Sequence, residues 1–136
     1  MNGAIKPDEA LIEEFNAFKT NKTDKALILA INNSKLEISF KGDKDFDFNS
    51  LSDHLPRDQP RFVIYDFEYE TREVPPGKFR KIICIYWCPI TASARNRFTY
   101  SDSLSGLTAL GGIQKQFQVD DYSGLEYDII RNQFPE

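Results

Sequence analysis

The chain has 136 residues, 40% of them hydrophobic, and a formal net charge of −4. That size suits one domain with one core, and that charge argues against binding nucleic acid by phosphate neutralisation. No apolar run approaches the roughly eighteen residues of a membrane helix, and the opening stretch to Phe15 lacks the basic and apolar regions of a secretory signal. One cytoplasmic domain over residues 1–136, without membrane insertion, is therefore expected. Glycine stands at Gly3 and not at the second position, which argues against N-myristoylation. Cys84 and Cys88 share one apolar segment and fit a reducing compartment.

In chain order, Pro7-Asp8-Glu9 ahead of Leu11, Ile12, Phe15 and Phe18 predicts a helix with proline and acids at its start and an apolar stripe behind them. Ala26 to Ile31 is almost continuously apolar, and Leu36 to Phe40 alternates after the turn residues Asn32-Asn33-Ser34, so the two make a hairpin. Lys41 to Asn49 reads as a charged loop and Ser50 to Leu55 as a short helix closed by Pro56. Arg61 to Glu70 predicts a strand with Tyr65, Phe67 and Tyr69 on one face and Asp66, Glu68 and Glu70 turned to solvent. A connector, Thr71 to Lys78, leads to Lys81–Trp87, apolar enough to be the central strand, buried on both faces. Arg95 to Leu110 predicts a helix stopped at Gly111-Gly112. A last strand takes in Ile113, Phe117 and Val119. Ser123-Gly124-Leu125-Glu126 has capping-box spacing before a final helix carrying Ile129, Ile130 and Phe134. The order gives an α+β domain, one sheet between helices, mixed if the last strand crosses over to lie parallel.

Chemistry for catalysis is missing from this pattern. His54 is the sole histidine, the two cysteines lack a partner pair for a metal, and the glycines lack the lysine and hydroxyl of a phosphate loop. Neither a catalytic residue nor a metal or cofactor is expected. The helix beginning at Arg95 stands out instead. Thr99, Ser101, Asp102, Ser103, Ser105, Gly106 and Thr108 make it a poor helix by propensity, so packing through Leu104, Leu107 and Leu110 must hold it. Its other edge, with Arg95, Arg97, Phe98, Thr99, Tyr100, Ser101 and Asp102 near the entrance, combines arginine, aromatic and small polar groups as interface hot spots do. From Thr71 to Arg97, six basic residues meet Glu73 alone, a local +5 that leaves −9 for the remainder. One end of an acidic chain is basic, which suits orientation of an acidic partner.

Several runs extend this reading over nearly the whole chain. Leu55-Pro56-Arg57-Asp58-Gln59-Pro60-Arg61-Phe62, then Tyr86-Trp87-Cys88-Pro89-Ile90-Thr91, and the gapless spacing from Tyr100 through Leu107 to Phe117, Val119 and Leu125 resemble the actin-depolymerising-factor homology fold, and within it the glia maturation factor branch. The resemblance implies a single domain with a mixed sheet flanked by helices, no catalysis, a monomer, and a place in the actin cytoskeleton. The implied partner is the actin-related protein 2/3 complex, with inhibition of branch nucleation and filament debranching. A second partner surface is implied at Arg72, Lys78, Arg80 and Lys81, beside the C-terminal helix. Arg95-Asn96-Arg97 is more similar to the basic pair of cofilins, so actin stays open as a partner, with severing and depolymerisation as the alternative activity. Against that alternative, Leu107-Thr108-Ala109-Leu110 replaces the cofilin lysine run, and no serine precedes Ser34. A generic interaction domain is the third reading.

Overall fold

The computed structural model describes residues 4–136; the reading at Gly3 lies outside them. Its elements are α1 (Glu9–Asn21), β1 (Asp24–Asn32), β2 (Lys35–Asp43), a 3₁₀ segment Phe48–His54, β3 (Arg61–Glu70), β4 (Lys78–Trp87), α2 (Ala94–Thr108), β5 (Lys115–Val119), a 3₁₀ turn Tyr122–Leu125 and α3 (Tyr127–Arg131). The five strands form one sheet in the order β2-β1-β3-β4-β5. Neighbours are antiparallel except β4 and β5, which run parallel as the crossover through α2 requires. The sheet is mixed and the fold is α+β, as predicted.

Local signals account for most boundaries. Asp8 caps α1 by accepting from the Leu11 N–H at 2.9 Å, and Lys22 ends it in the left-handed region. Asn33 and Ser34 both take positive φ, 50° and 60°, which matches a two-residue turn to the twist of β1 and β2. Gly111 and Gly112, at φ 84° and 89°, stop the chain after α2. It is this left-handed backbone, which L side chains rarely adopt, that favours glycine at both positions.

The pleat sends alternate residues to two layers. One face of the sheet buries Leu27, Leu29, Phe62, Ile64, Cys84 and Tyr86 against Leu11, Phe15 and Phe18 of α1 and Tyr100 and Leu107 of α2. The other packs Val63, Tyr65, Phe67, Ile83, Ile85 and Trp87 against Phe48, Leu51 and Leu55, then Leu125, Ile130 and Phe134. Each fully buried aromatic or aliphatic side chain contributes roughly 1.5–3 kcal/mol by leaving water. Packing in the first of these layers, and not helix propensity, holds α2.

Five sequence expectations change. β2 continues to Asp43, since Gly42 is buried against Phe46 and its strand pairing runs through it. β4 begins at Lys78 because Glu70↔Lys78 and Tyr69↔Phe79 extend the hairpin with β3, the latter rings 5.7 Å apart. β3, not β4, occupies the middle of the sheet. Asp66 is not on a solvent face but is 2% exposed. Finally, Ser123 does not cap the last helix: Asp121 accepts from its N–H and hydroxyl, 3.0 and 2.6 Å, and caps the 3₁₀ turn. The helix restarts only at Tyr127, whose N–H goes to Asn49 Oδ1 at 2.8 Å.

Candidate functional site

Ser93 opens α2, accepting from the Asn96 N–H at 3.1 Å, so the chain enters the helix at a fixed angle. The first turns are then pinned from below by Tyr86 of β4. Its hydroxyl donates to the Arg97 carbonyl at 3.1 Å and lies 3.0 Å from Ser101 Oγ. Burial raises the Tyr86 pKa far above the usual phenol value, which keeps that donor protonated. Further along, Ser103 is 1% exposed; its hydroxyl donates to the Thr99 carbonyl at 2.7 Å and accepts from the Ile5 N–H at 2.8 Å. The segment before α1 is thereby fastened across α2. Hydroxyls that make this a poor isolated helix serve as its tertiary attachments.

The predicted site residues divide into two groups. Arg95, Arg97 and Phe98 stand exposed, Phe98 at 71%, on a helix anchored by its opposite side. Ser101 is exposed and Asp102 half-buried, and with Arg97, Phe98, Ala94, Cys88 and Gln118 they line a surface depression of about 380 Å³ between α2 and β5. Thr99 is half-buried and returns its hydroxyl to the Arg95 carbonyl at 3.1 Å. Tyr100 belongs to the core and leaves the candidate surface. It is 4% exposed, packs 5.3 Å from the Phe62 ring, and accepts from the Ile31 N–H at 2.8 Å. Ser101 is also less free than predicted, since Tyr86 engages it. Ile90, 75% exposed in the loop before α2, adds an apolar group that the sequence pattern did not single out.

The second predicted surface is largely spoken for. Arg80 forms an ion pair with the buried Asp66 and reaches Glu68 at 3.4 Å. Lys81 donates to Glu136 Oε1 at 2.8 Å, holding that carboxyl below its ordinary pKa. Arg72 donates to the Phe134 carbonyl at 3.0 Å and Asn132 Oδ1 at 3.2 Å. Arg131 lies over the Tyr69 ring and donates to the carbonyls of Glu70 and Glu136 at 2.6 and 2.7 Å. Arg72, Lys81 and Arg131 therefore clamp the segment Asn132–Glu136. Among the described residues, only Lys78 of the four predicted here has no ion-pair or side-chain hydrogen-bond partner. The +5 summed along the sequence is partly neutralised by acids from β3 and by Glu136. Among the described residues no group of histidine, cysteine, aspartate or glutamate has metal-site geometry, and no helix is long and apolar enough to cross a membrane.

The family model for cofilin/tropomyosin-type actin-binding proteins matches residues 4–134. Cofilin of Ogataea parapolymorpha is 35% identical over 131 residues, which cover 95% of this chain and 90% of the relative. The chain belongs to the cofilin/ADF family. This is a non-enzymatic, actin-binding family. The crystal structure of Streptomyces griseoflavus cofilin superposes with a TM-score of 0.82 at 26% identity, covering 94% of this chain and 95% of that one. Glia maturation factor from Caenorhabditis elegans shares the fold, with a TM-score of 0.76 over 96% of each chain, but at 19% identity that likeness reaches no further than the fold. The comparisons thus support the cofilin/ADF family as a whole and do not specifically support the narrower glia maturation factor branch. The run Leu55–Phe62, on which that resemblance drew, also has a duty inside the fold. In this structure it is a structural strap: Trp87 Nε1 donates to the Pro56 carbonyl at 2.7 Å and the Thr91 hydroxyl to the Arg57 carbonyl at 2.6 Å.

Proposed function

We propose that this cofilin-family chain binds actin filaments through the entrance of α2 and promotes their severing and depolymerisation, acting in the cytoplasm at the actin cytoskeleton. The observation that carries this reading is the exposed trio Arg95, Arg97 and Phe98 on a helix whose other side is fastened by Tyr86, Ser103 and Leu107. A rigid helix presenting two guanidinium groups and an aromatic ring beside a shallow depression suits insertion into a cleft of a protein partner, with little ordering cost on binding. Membership of an actin-binding family supplies the partner class. Lys78 at the far hairpin end can supply a second, rim-type contact whose main effect would be on association rate.

A second reading, docking to the actin-related protein 2/3 complex with loss of filament branches, draws on two features: the Leu55–Phe62 run and the absence of lysine from Leu107-Thr108-Ala109-Leu110. Leu107 is buried in the core, Thr108 and Leu110 are half-buried and Ala109 is exposed. Fluorescence microscopy of branched actin networks separates the readings. Shortening of unbranched filaments supports the first; loss of branches from intact mother filaments supports the second and overturns the first.

A further inference from the structure

We infer that the open edge of β5 pairs with β5 of a second copy of this chain, antiparallel and centred on Phe117. Among the described residues β5 is a sheet edge, bonded on one side only, to β4. The Val119 carbonyl accepts from the Cys88 N–H at 2.9 Å, and alternation along the regular ladder then turns the backbone of Phe117 inward to β4 and leaves the N–H and C=O of Gln116 and Gln118 facing out, where each can bond its opposite residue in the second copy. Native edge strands are commonly blunted by proline, a bulge or a cover; the pairing of β5 with β4 is regular from Lys115 to Val119 and contains no proline.

The sequence of β5 complements itself when reversed on Phe117. Gln116 falls opposite Gln118 of the second copy and Gln118 opposite its Gln116, so two amide pairs form on the α2 side. Phe117 meets Phe117 on the other side. A two-fold axis repeats each contact, as an isologous interface requires. The surface is shaped to receive such a strand on both sides. Beside β5 on the α3 side is a depression of about 480 Å³ lined by Phe117, Ile130 and Ile129, the last 45% exposed; on the α2 side is the depression that includes Gln118. Side chains of an added strand alternate between the two. With five residues in β5, the contact falls below the area of a stable dimer. Association is weak, and the chain is a monomer when dilute.

Sedimentation velocity and small-angle scattering over roughly 10 µM to 1 mM protein test this. The parent should shift from monomer to dimer across the range. Q116K/Q118K sets lysine opposite lysine twice and should raise the dissociation constant about tenfold. Q116K/Q118E sets lysine opposite glutamate twice and should dimerise at least as tightly as the parent. Both side chains are exposed, so unfolding midpoints should not move. A parent and Q116K/Q118E that both stay monomeric throughout overturn the inference. So does a dimer equally strong in all three proteins, which would place the interface elsewhere.

Discussion

Trp87 offers the sharpest separation of packing from hydrogen bonding. It is 1% exposed, stacks on Tyr122 at 4.8 Å between ring centres, and donates from Nε1 to the Pro56 carbonyl at 2.7 Å. Trp87→Ala removes the whole side chain from a layer that cannot collapse around it, because Tyr122 is itself held by a hydroxyl bond to the Leu55 carbonyl at 2.8 Å. The expected cost is roughly 3–5 kcal/mol. Trp87→Phe keeps most of the ring contact and loses the indole donor to the carbonyl of the half-buried Pro56. About 1–2 kcal/mol is expected. Trp87 is the sole tryptophan, so urea unfolding should be followed by far-ultraviolet circular dichroism. An alanine variant within about 1 kcal/mol of the parent, or two variants of equal stability, would refute the placement of this side chain as a packed, hydrogen-bonded strap.

Three further expectations follow from individual contacts. Arg80→Met leaves the Asp66 carboxylate buried without its cation and should cost about 2–3 kcal/mol, less than a fully buried pair because the guanidinium is 42% exposed; Asp66→Asn should cost about 1 kcal/mol. Urea midpoints that rank the two variants the other way would show that burial of Asp66 does not set the cost. The Leu11 N–H holds the Asp8 carboxyl below its ordinary pKa, so its stabilising effect is complete above the unfolded value of roughly 4 and is lost as pH falls through the lower folded value. Asp8→Asn should flatten thermal stability on that acid side, and an unchanged acid slope would contradict the cap. Burial pushes the Cys84 thiol up to about 12, so its alkylation at neutral pH should proceed only as fast as the protein unfolds, whereas labelling in the native state would contradict the packing of β4.

What could be read from residues alone was local. Apolar periodicity found α1, the hairpin of β1 and β2, β3, β4 and the stripe of α2, and Gly111-Gly112 marked the stop after α2, because each signal sits within a few positions of what it determines. Partners distant in sequence were not legible. Nothing near Asp66 says that Arg80 will cross the hairpin to cover it, nor near Lys81 that Glu136 will neutralise it. Charge summed along the chain therefore overstated the free basic surface. Tyr100 shows the same limit within the candidate site. Its place in an aromatic and polar run suggested exposure, while the Ile31 N–H that donates to its hydroxyl comes from β1, 69 positions away. Likewise no sequence signal marked Tyr86, on an apolar strand, as the residue that pins the entrance of α2. Arg95, Arg97 and Phe98 were legible for the converse reason: they do no work inside the fold, and their exposure follows from the stripe that is buried.

The role of that entrance is tested most directly by co-sedimentation of Arg95→Ala/Arg97→Ala with actin filaments over a range of filament concentrations. Both side chains are exposed, so the unfolding midpoint should match the parent. A guanidinium anchored in a partner's cleft costs about 2 kcal/mol or more when truncated. Binding should therefore weaken at least about tenfold. A double variant that pellets with filaments as the parent does, at the same half-saturation, contradicts docking through α2.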